Sequence, residues 1–290
     1  MLTGRRGFTL AELVVAIVIA GVLAAAVMDV VIRQQRFFAA DARAAAMRAA
    51  VRQAADILSN ELRPLTPRDG DLYAAAADHV DFRMLLGASV LCTIAAGRDG
   101  AVLPPTRAAS ALGLTAWVAA PVRGDTLLVL DAGARDPGDE RWTRHVLTAD
   151  PATHAPCPPA TGFTGSAAEG AAGWELHLWP LLAATVRPGA AVRFVRRARF
   201  ELYRASDTRW YLGFADCLAS RAVPCAVVQP VSGPYDAGGI RFTYLDSLGA
   251  AAAEADVARI VIDIVASAAG AAPGVARSRD SLRATVAVRN

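Results

Sequence analysis

The chain has 290 residues, of which 54% are hydrophobic, 7% aromatic and 20% charged, with a formal net charge of +3. The aromatic content argues against a disordered chain, and the length allows a long helix plus one domain of about 200 residues. No Lys occurs, so every basic side chain except His is Arg; this is the mark of a GC-rich genome, and the small net charge lacks the dense basic footprint that nucleic-acid binding requires.

The N-terminus opens with Arg5 and Arg6, then Gly7 and Phe8, and residues 13–28 carry no charge. With Phe8 to Leu10 and Val30 to Ile32 the apolar stretch nears the roughly 20 residues that cross a bilayer. The basic start keeps the short leader in the cytoplasm and sends the rest across the membrane. An ordinary signal peptide cut near Ala24–Ala26 is the competing reading. Against it stand Glu12 at the head of the apolar core and the absence of a turn-forming break after it. The helical pattern continues instead: Phe37, Ala40, Ala44, Met47, Val51, Ala55, Leu58 and Leu62 recur in steps of three or four, which predicts one helix face. Pro64 and Pro67 stop it. A single helix over 8–62 would be about 80 Å long, apolar all round over 8–32 and amphipathic over 33–62.

The run Gly7-Phe8-Thr9-Leu10-Ala11-Glu12 resembles the processing motif of type IV prepilins and type II secretion pseudopilins. The resemblance covers about residues 4–30. It implies that a prepilin peptidase removes residues 1–7, cutting between Gly7 and Phe8, and methylates the new amino group of Phe8. A physical case stands beside it. A carboxylate as deep as Glu12 costs about 2.5–3.5 kcal/mol on insertion scales, and such residues are usually paired and functional. The natural partner is the charged amine of Phe8, on the same or a neighbouring subunit, which would set the stagger of packed helices. The bland alternative is a carboxylate that snorkels to water. Asp29 reads as the exit from the bilayer.

Beyond Pro67 the pattern becomes short apolar or alternating runs. Strands are predicted at Val80–Met84, Ser89–Ala95, Thr126–Asp131, Trp142–Thr148, Val192–Tyr203, Trp210–Ala215, Ala226–Gln229, Ile240–Leu245, Ala258–Ala266 and Leu282–Val288. Residues 97–112 and 151–173 read as loops. The densest basic cluster, Arg193, Arg196, Arg197 and Arg199, falls in a predicted strand, whose alternation splits it between two faces. Trp174 and Trp179 flank His177 in an apolar run and read as packing, with an exposed partner surface as the alternative.

Four cysteines, Cys92, Cys157, Cys217 and Cys225, suggest two disulfides in an exported domain. Three pairings are possible. The short spacing favours Cys217 with Cys225, leaving Cys92 with Cys157. No CxxC pair occurs, and the four histidines lack zinc-ligand spacing. Asp131, Asp136, Asp139 and Glu140 crowd hard oxygen ligands, but their spacing does not fit an EF-hand and a solvated turn is the simpler reading. Neither a Gly-x-Ser-x-Gly nor a His-Glu-x-x-His motif is present. No metal, cofactor or catalytic role is expected.

The segments Phe200–Arg204, Trp210–Leu212, Gly239–Asp246, Val257–Ile264 and Val286–Asn290 are similar, in order and flavour, to large minor pilins of the PilW type and to type II pseudopilin J. Pseudopilin K typically lacks the carboxylate supplied here by Glu12. The expected fold is α+β: a pilin-like lollipop with a long N-terminal helix packed on a mostly antiparallel sheet, the periplasmic domain spanning 63–290. The implied role is a structural subunit that primes or caps a type IV pilus or a type II secretion pseudopilus. The implied partners are prepilin peptidase, other minor and major pilins or pseudopilins, and the inner-membrane assembly platform. The alternative is a signal-anchored periplasmic ligand-binding or enzymatic domain.

Overall fold

An α-helix, α1, runs unbroken over Leu10–Leu62 in the computed structural model, which describes residues 10–106, 113–133, 140–219, 221–268 and 278–289. Alanine is abundant along it and favours helix. Pro64 follows its last turn, and a ring there cannot continue the hydrogen-bond ladder. The helix divides sharply by burial. No residue from Leu10 to Arg43 is buried, whereas Ala44, Met47, Ala50, Val51, Ala54, Ala55, Leu58 and Leu62 are. These positions form one stripe at helical spacing. Phe37, predicted on that stripe, is 64% exposed, because the domain covers the helix only from Ala44 onward.

Among the described residues the domain has fifteen strands: β1 Leu72–Ala75, β2 His79–Val90, β3 Thr93–Ile94, β4 Gly100–Leu103, β5 Ala116–Trp117, β6 Thr126–Asp131, β7 Arg141–Leu147, β8 Ala152–Ala155, β9 Gly173–Trp179, β10 Ala191–Arg204, β11 Trp210–Asp216, β12 Val228–Tyr235, β13 Ile240–Leu245, β14 Arg259–Ala268 and β15 Ser278–Ala287. Every pairing among them is antiparallel. The large sheet runs β1-β2-β10-β6-β7-β9-β4-β3, and β13-β14-β15 form a second sheet. The architecture is therefore the expected lollipop, a long helix on an antiparallel α+β domain.

β10 is the spine of the large sheet. One edge pairs with β2 along residues 191–201. The other edge is shared: residues 192–195 pair with β6, and residues 198–204 pair with β11. The sheet thus forks, and each branch closes its own core. The first core packs the helix stripe against Val80, Phe82, Phe200 and Leu212 and against Ile260, Ile262 and Ile264 of the small sheet. Strict alternation along β14 points those isoleucines at the helix. The second core contains Leu86, Leu91, Leu103, Leu127, Leu176 and Phe194, and no helix residue.

Several strand boundaries differ from the sequence expectation. The runs predicted at Val80–Met84 and Ser89–Ala95 belong mostly to the single strand β2. Gly87 has the look of a break in the sequence but lies at a bulge: it pairs with Phe194 while Leu85 pairs with Val195, leaving Leu86 extra. A Cβ at Gly87 would meet the Ala116 carbonyl at 2.3 Å, so only glycine lets β5 lie there. The segments read as loops contain β4 and β8, short strands whose pairing to β9 supplies what their sequence lacks. β12 includes Pro230 and Pro234, which obscure it in the sequence; it borders only β11, an edge position where a missing donor is tolerated.

Leu58 is fully buried in the first core. Leu58→Ala is expected to destabilise the domain by about 2–5 kcal/mol through lost burial and a residual cavity. Val14→Ala, at a 50% exposed position, should leave it unchanged. Urea unfolding of the detergent-solubilised chain, followed by tryptophan fluorescence, measures both.

Candidate functional site

Apolar side chains cover the whole circumference of the first half of α1. Ile17 is 63% exposed, Leu23 61% and Val27 63%. The helix holds an 18-residue window long and apolar enough to cross a membrane, none of it buried. A helix of this kind requires lipid or other helices around it. Glu12 lies in its first described turn. Gly7 and Phe8 lie outside the described residues. A Cβ added at Gly21 would meet no atom within 4 Å, so nothing in the chain itself makes use of the missing side chain. Charge resumes at Asp29, which pairs with Arg33 one turn on at 2.8 Å.

Residues 2–28 match the family model described as the prokaryotic N-terminal methylation motif. The chain is type IV prepilin-like. That match spans Gly7, Phe8 and Glu12 and ends where the uncharged stretch ends, at Met28. It implies processing by prepilin peptidase and assembly with other pilins. No curated protein and no solved structure matches the chain.

In the domain of this pilin-like chain the cysteines form two disulfides, Cys92–Cys157 across 65 residues and Cys217–Cys225 across 8. Cys92 and Cys157 are fully buried. Their bond ties the end of β2 to the segment after β8, across the second core. Loop-closure entropy makes it worth about 4 kcal/mol, against roughly 2.5 kcal/mol for the shorter loop. Cys217–Cys225 clips the segment between β11 and β12.

Three arginines of the β10 run, Arg196, Arg197 and Arg199, are held in ion pairs, and the split of the run between faces follows the strand alternation. Arg196, only 7% exposed, donates Nε and Nη2 to the two carboxylate oxygens of Asp125, each at 2.6 Å, and Nη1 to Asp216 at 2.9 Å. Arg197 and Arg199 both reach Asp81 from the opposite face; Arg199 Nε lies 2.5 Å from Asp81 Oδ1. Asp81 is fully buried and sits directly across from Arg199 in the β2–β10 register. Burial pushes its carboxyl up, but hydrogen bonds from Arg199 and Arg197 outweigh that and hold it below the usual carboxylate range. Arg193 lies over the Trp142 ring at 4.6 Å.

The other singled-out residues do not gather into a site. Asp131 accepts from Thr185 Oγ1 at 2.8 Å and from the Gly133 amide; Asp136 and Asp139 lie outside the described residues. Among the described residues no group of three or more His, Cys, Asp or Glu could hold a metal ion. Trp174 packs on Trp117 at 4.6 Å, as expected, but Trp179 is 67% exposed. The alternation of β9 turns Leu176 and Leu178 inward and Trp179 out.

One contact between helix and domain has no sequence signal. The buried hydroxyls of Tyr235 and Ser232 both donate to the Ala50 carbonyl in the helix, at 2.8 and 3.1 Å. Burial pushes the Tyr235 phenol up to about 12. The small side chain of Ala50 is what lets β12 approach that carbonyl.

Asp81→Asn should destabilise the domain at pH 7 by about 1–3 kcal/mol: two guanidinium groups lose their shared carboxylate, but Arg197 is part exposed to water and Arg199 keeps Glu201 at 3.6 Å. The Asp81 carboxyl titrates lower folded than unfolded, so its contribution is present above about pH 4 and lost as pH falls through the folded value. The gap between variant and wild type, measured by urea unfolding from pH 7 down to pH 2.5, should therefore narrow below pH 4.

Proposed function

We propose that the mature chain, beginning at Phe8, is a minor pilin or pseudopilin: a non-enzymatic subunit that primes or caps assembly of a type IV pilus or type II secretion pseudopilus. The observation that carries this reading is the continuity of α1. In a chain with a prepilin-type N-terminal motif, the exposed apolar half of α1 runs from Leu10 without interruption into a half packed in the domain. A simple anchor needs no such rigid connection, whereas a subunit packed by its helix does.

In this reading the helix first holds the chain in the inner membrane, with the domain in the periplasm. It then exchanges lipid contacts for neighbouring helices. Gly21 and Ala24 to Ala26 permit close approach, as small residues do between membrane helices. The Gly21 position is open in the isolated chain, which fits a contact made only with another chain. Glu12 pairs with the Phe8 amine of a neighbour, removing two charges from an apolar bundle and fixing register. The second core forms a lobe that the helix does not touch. Such a lobe favours a place at the filament tip, where one side is free of neighbours.

Intact-mass analysis of the membrane-extracted protein should show loss of residues 1–7 and gain of one methyl group. An uncut chain, or a cut near residue 26, would support the signal-anchor alternative instead. Glu12→Ala should be processed normally yet be depleted at least tenfold from sheared filaments, read by immunoblot against the membrane pool. Wild-type incorporation of that variant would sink the register mechanism.

A further inference from the structure

The outer face of the large sheet, opposite the second core, carries exposed apolar and basic side chains together. Strand register places Leu85, Val195, Thr126, Val146 and Trp179 in one row across five strands. Residues directly opposite one another in a ladder share a face. Leu85 is 54% exposed, Val146 36% and Trp179 67%, whereas Val195 and Thr126, between Leu85 and Val146, are buried. The next row, by the same pairings, sets Arg193, Leu128 and Arg144 side by side. The two arginines stand about 10 Å apart, two strand spacings. Trp142, 39% exposed, begins the row beyond and carries Arg193 on its ring.

Charge on this face is unbalanced. Among the described residues neither Arg144 nor Arg193 lies within ion-pair distance of a carboxylate, whereas the nearby acids are committed. Asp125 and Asp216 are taken by Arg196, and Asp81 by Arg197 and Arg199. Glu175, farther along β9, faces His177 at 3.8 Å. Beside the buried middle of the row the fork opens into a cleft of about 280 Å³, lined by Tyr73, Thr126, Arg144, Val195, Arg197 and Pro224. Apolar anchors, tryptophan and unpaired arginine together are the composition of protein interface centres.

We propose that this face docks an acidic polypeptide segment, its apolar side chains on the adjacent Val146 and Trp179 and its carboxylates on Arg144 and Arg193. Guanidinium groups donate paired hydrogen bonds to carboxylates, and the charge on the face is complementary to such a segment. Single-stranded nucleic acid fits less well. It needs a succession of open ring faces for base stacking, and with the faces of Trp142 and Tyr73 taken by Arg193 and Arg197 the row offers only Trp179. The surface lies on the domain and is independent of the assembly role of the N-terminal helix.

The test uses the full chain in lipid nanodiscs and fluorescence anisotropy of a labelled ten-residue peptide alternating Glu with Leu and Phe, with the signal from empty nanodiscs subtracted. Binding should weaken at least tenfold in Arg144→Glu and in Trp179→Ala. Arg144→Glu should also gain affinity for the matching peptide with Lys in place of Glu. Near-UV circular dichroism of each variant checks that the domain is folded, and Arg144→Gln, which removes charge without reversing it, should fall between wild type and Arg144→Glu. Equal affinity of the wild-type chain for the Glu and Lys peptides, no response to Arg144→Glu, or displacement of the Glu peptide by equimolar oligothymidylate would each overturn the proposal.

Discussion

A single buried guanidinium sits where the sheet divides. At residue 196 the outer edge of β10 passes from one partner strand to the other, and neither β6 nor β11 pairs there. Arg196 bridges the gap by holding Asp125, just ahead of β6, and Asp216, the last residue of β11. Burial works against its charge, but hydrogen bonds and attraction from these carboxylates prevail, so the side chain holds its proton more tightly than usual. A buried ion cluster of this kind contributes little net stability relative to an apolar replacement. Its effect is directional. It fixes where the two branches separate, and hence how the second core sits relative to the core that grips the helix.

The two halves of α1 obey opposite rules. From Ala44 onward the stripe mixes small and large side chains, and the small ones matter as much as the large. Ala50 and Ala54 bring the backbone close to the sheets, and Tyr235 and Ser232 use that closeness to bond the helix carbonyl. Before Ala44 nothing selects a face. Leu13, Val18 and Leu23 point in different directions and are all more than half exposed. The sequence expresses this as a change from all-round apolarity to a stripe, the same change that separates a membrane or bundle environment from a globular one.

That change is readable because helical periodicity is local and the run is long. The N-terminal motif is readable for a similar reason: its residues are contiguous. The alternating strands over Thr126–Asp131, Ile240–Leu245 and the centre of β14 are also legible, since each buries one face. What escapes is set by partners distant in sequence. β4 and β8 are strands only because β9 lies beside them. Gly87 is a bulge because β10 keeps pairing past it. The arginines of β10 can be placed on two faces, but their carboxylates lie 71, 20 and 116 residues away, which no local pattern reveals. Composition alone makes Trp179 look like packing, and the phase of β9 decides otherwise.

The rigid joint between helix and domain gives a lever to whatever is fixed at the N-terminus. From Glu12 to Ala44, the first buried residue, the helix rises about 50 Å. It contains no proline and one glycine, Gly21, over that distance, so few positions can absorb a bend. Each residue of helix turns the domain by about 100° relative to the apolar half. In the proposed filament, a carboxylate that sets axial register among packed helices would also set the height and azimuth of the domain, with Leu58, Leu62 and the hydroxyls on Ala50 transmitting the constraint. The outer sheet face belongs to the branch held by Arg196, so its direction is inherited from the same chain of contacts. Under the proposed assembly, the orientation of a surface at one end of the molecule follows from a charge at the other, through a rod whose stiffness is the ordinary stiffness of an uninterrupted α-helix.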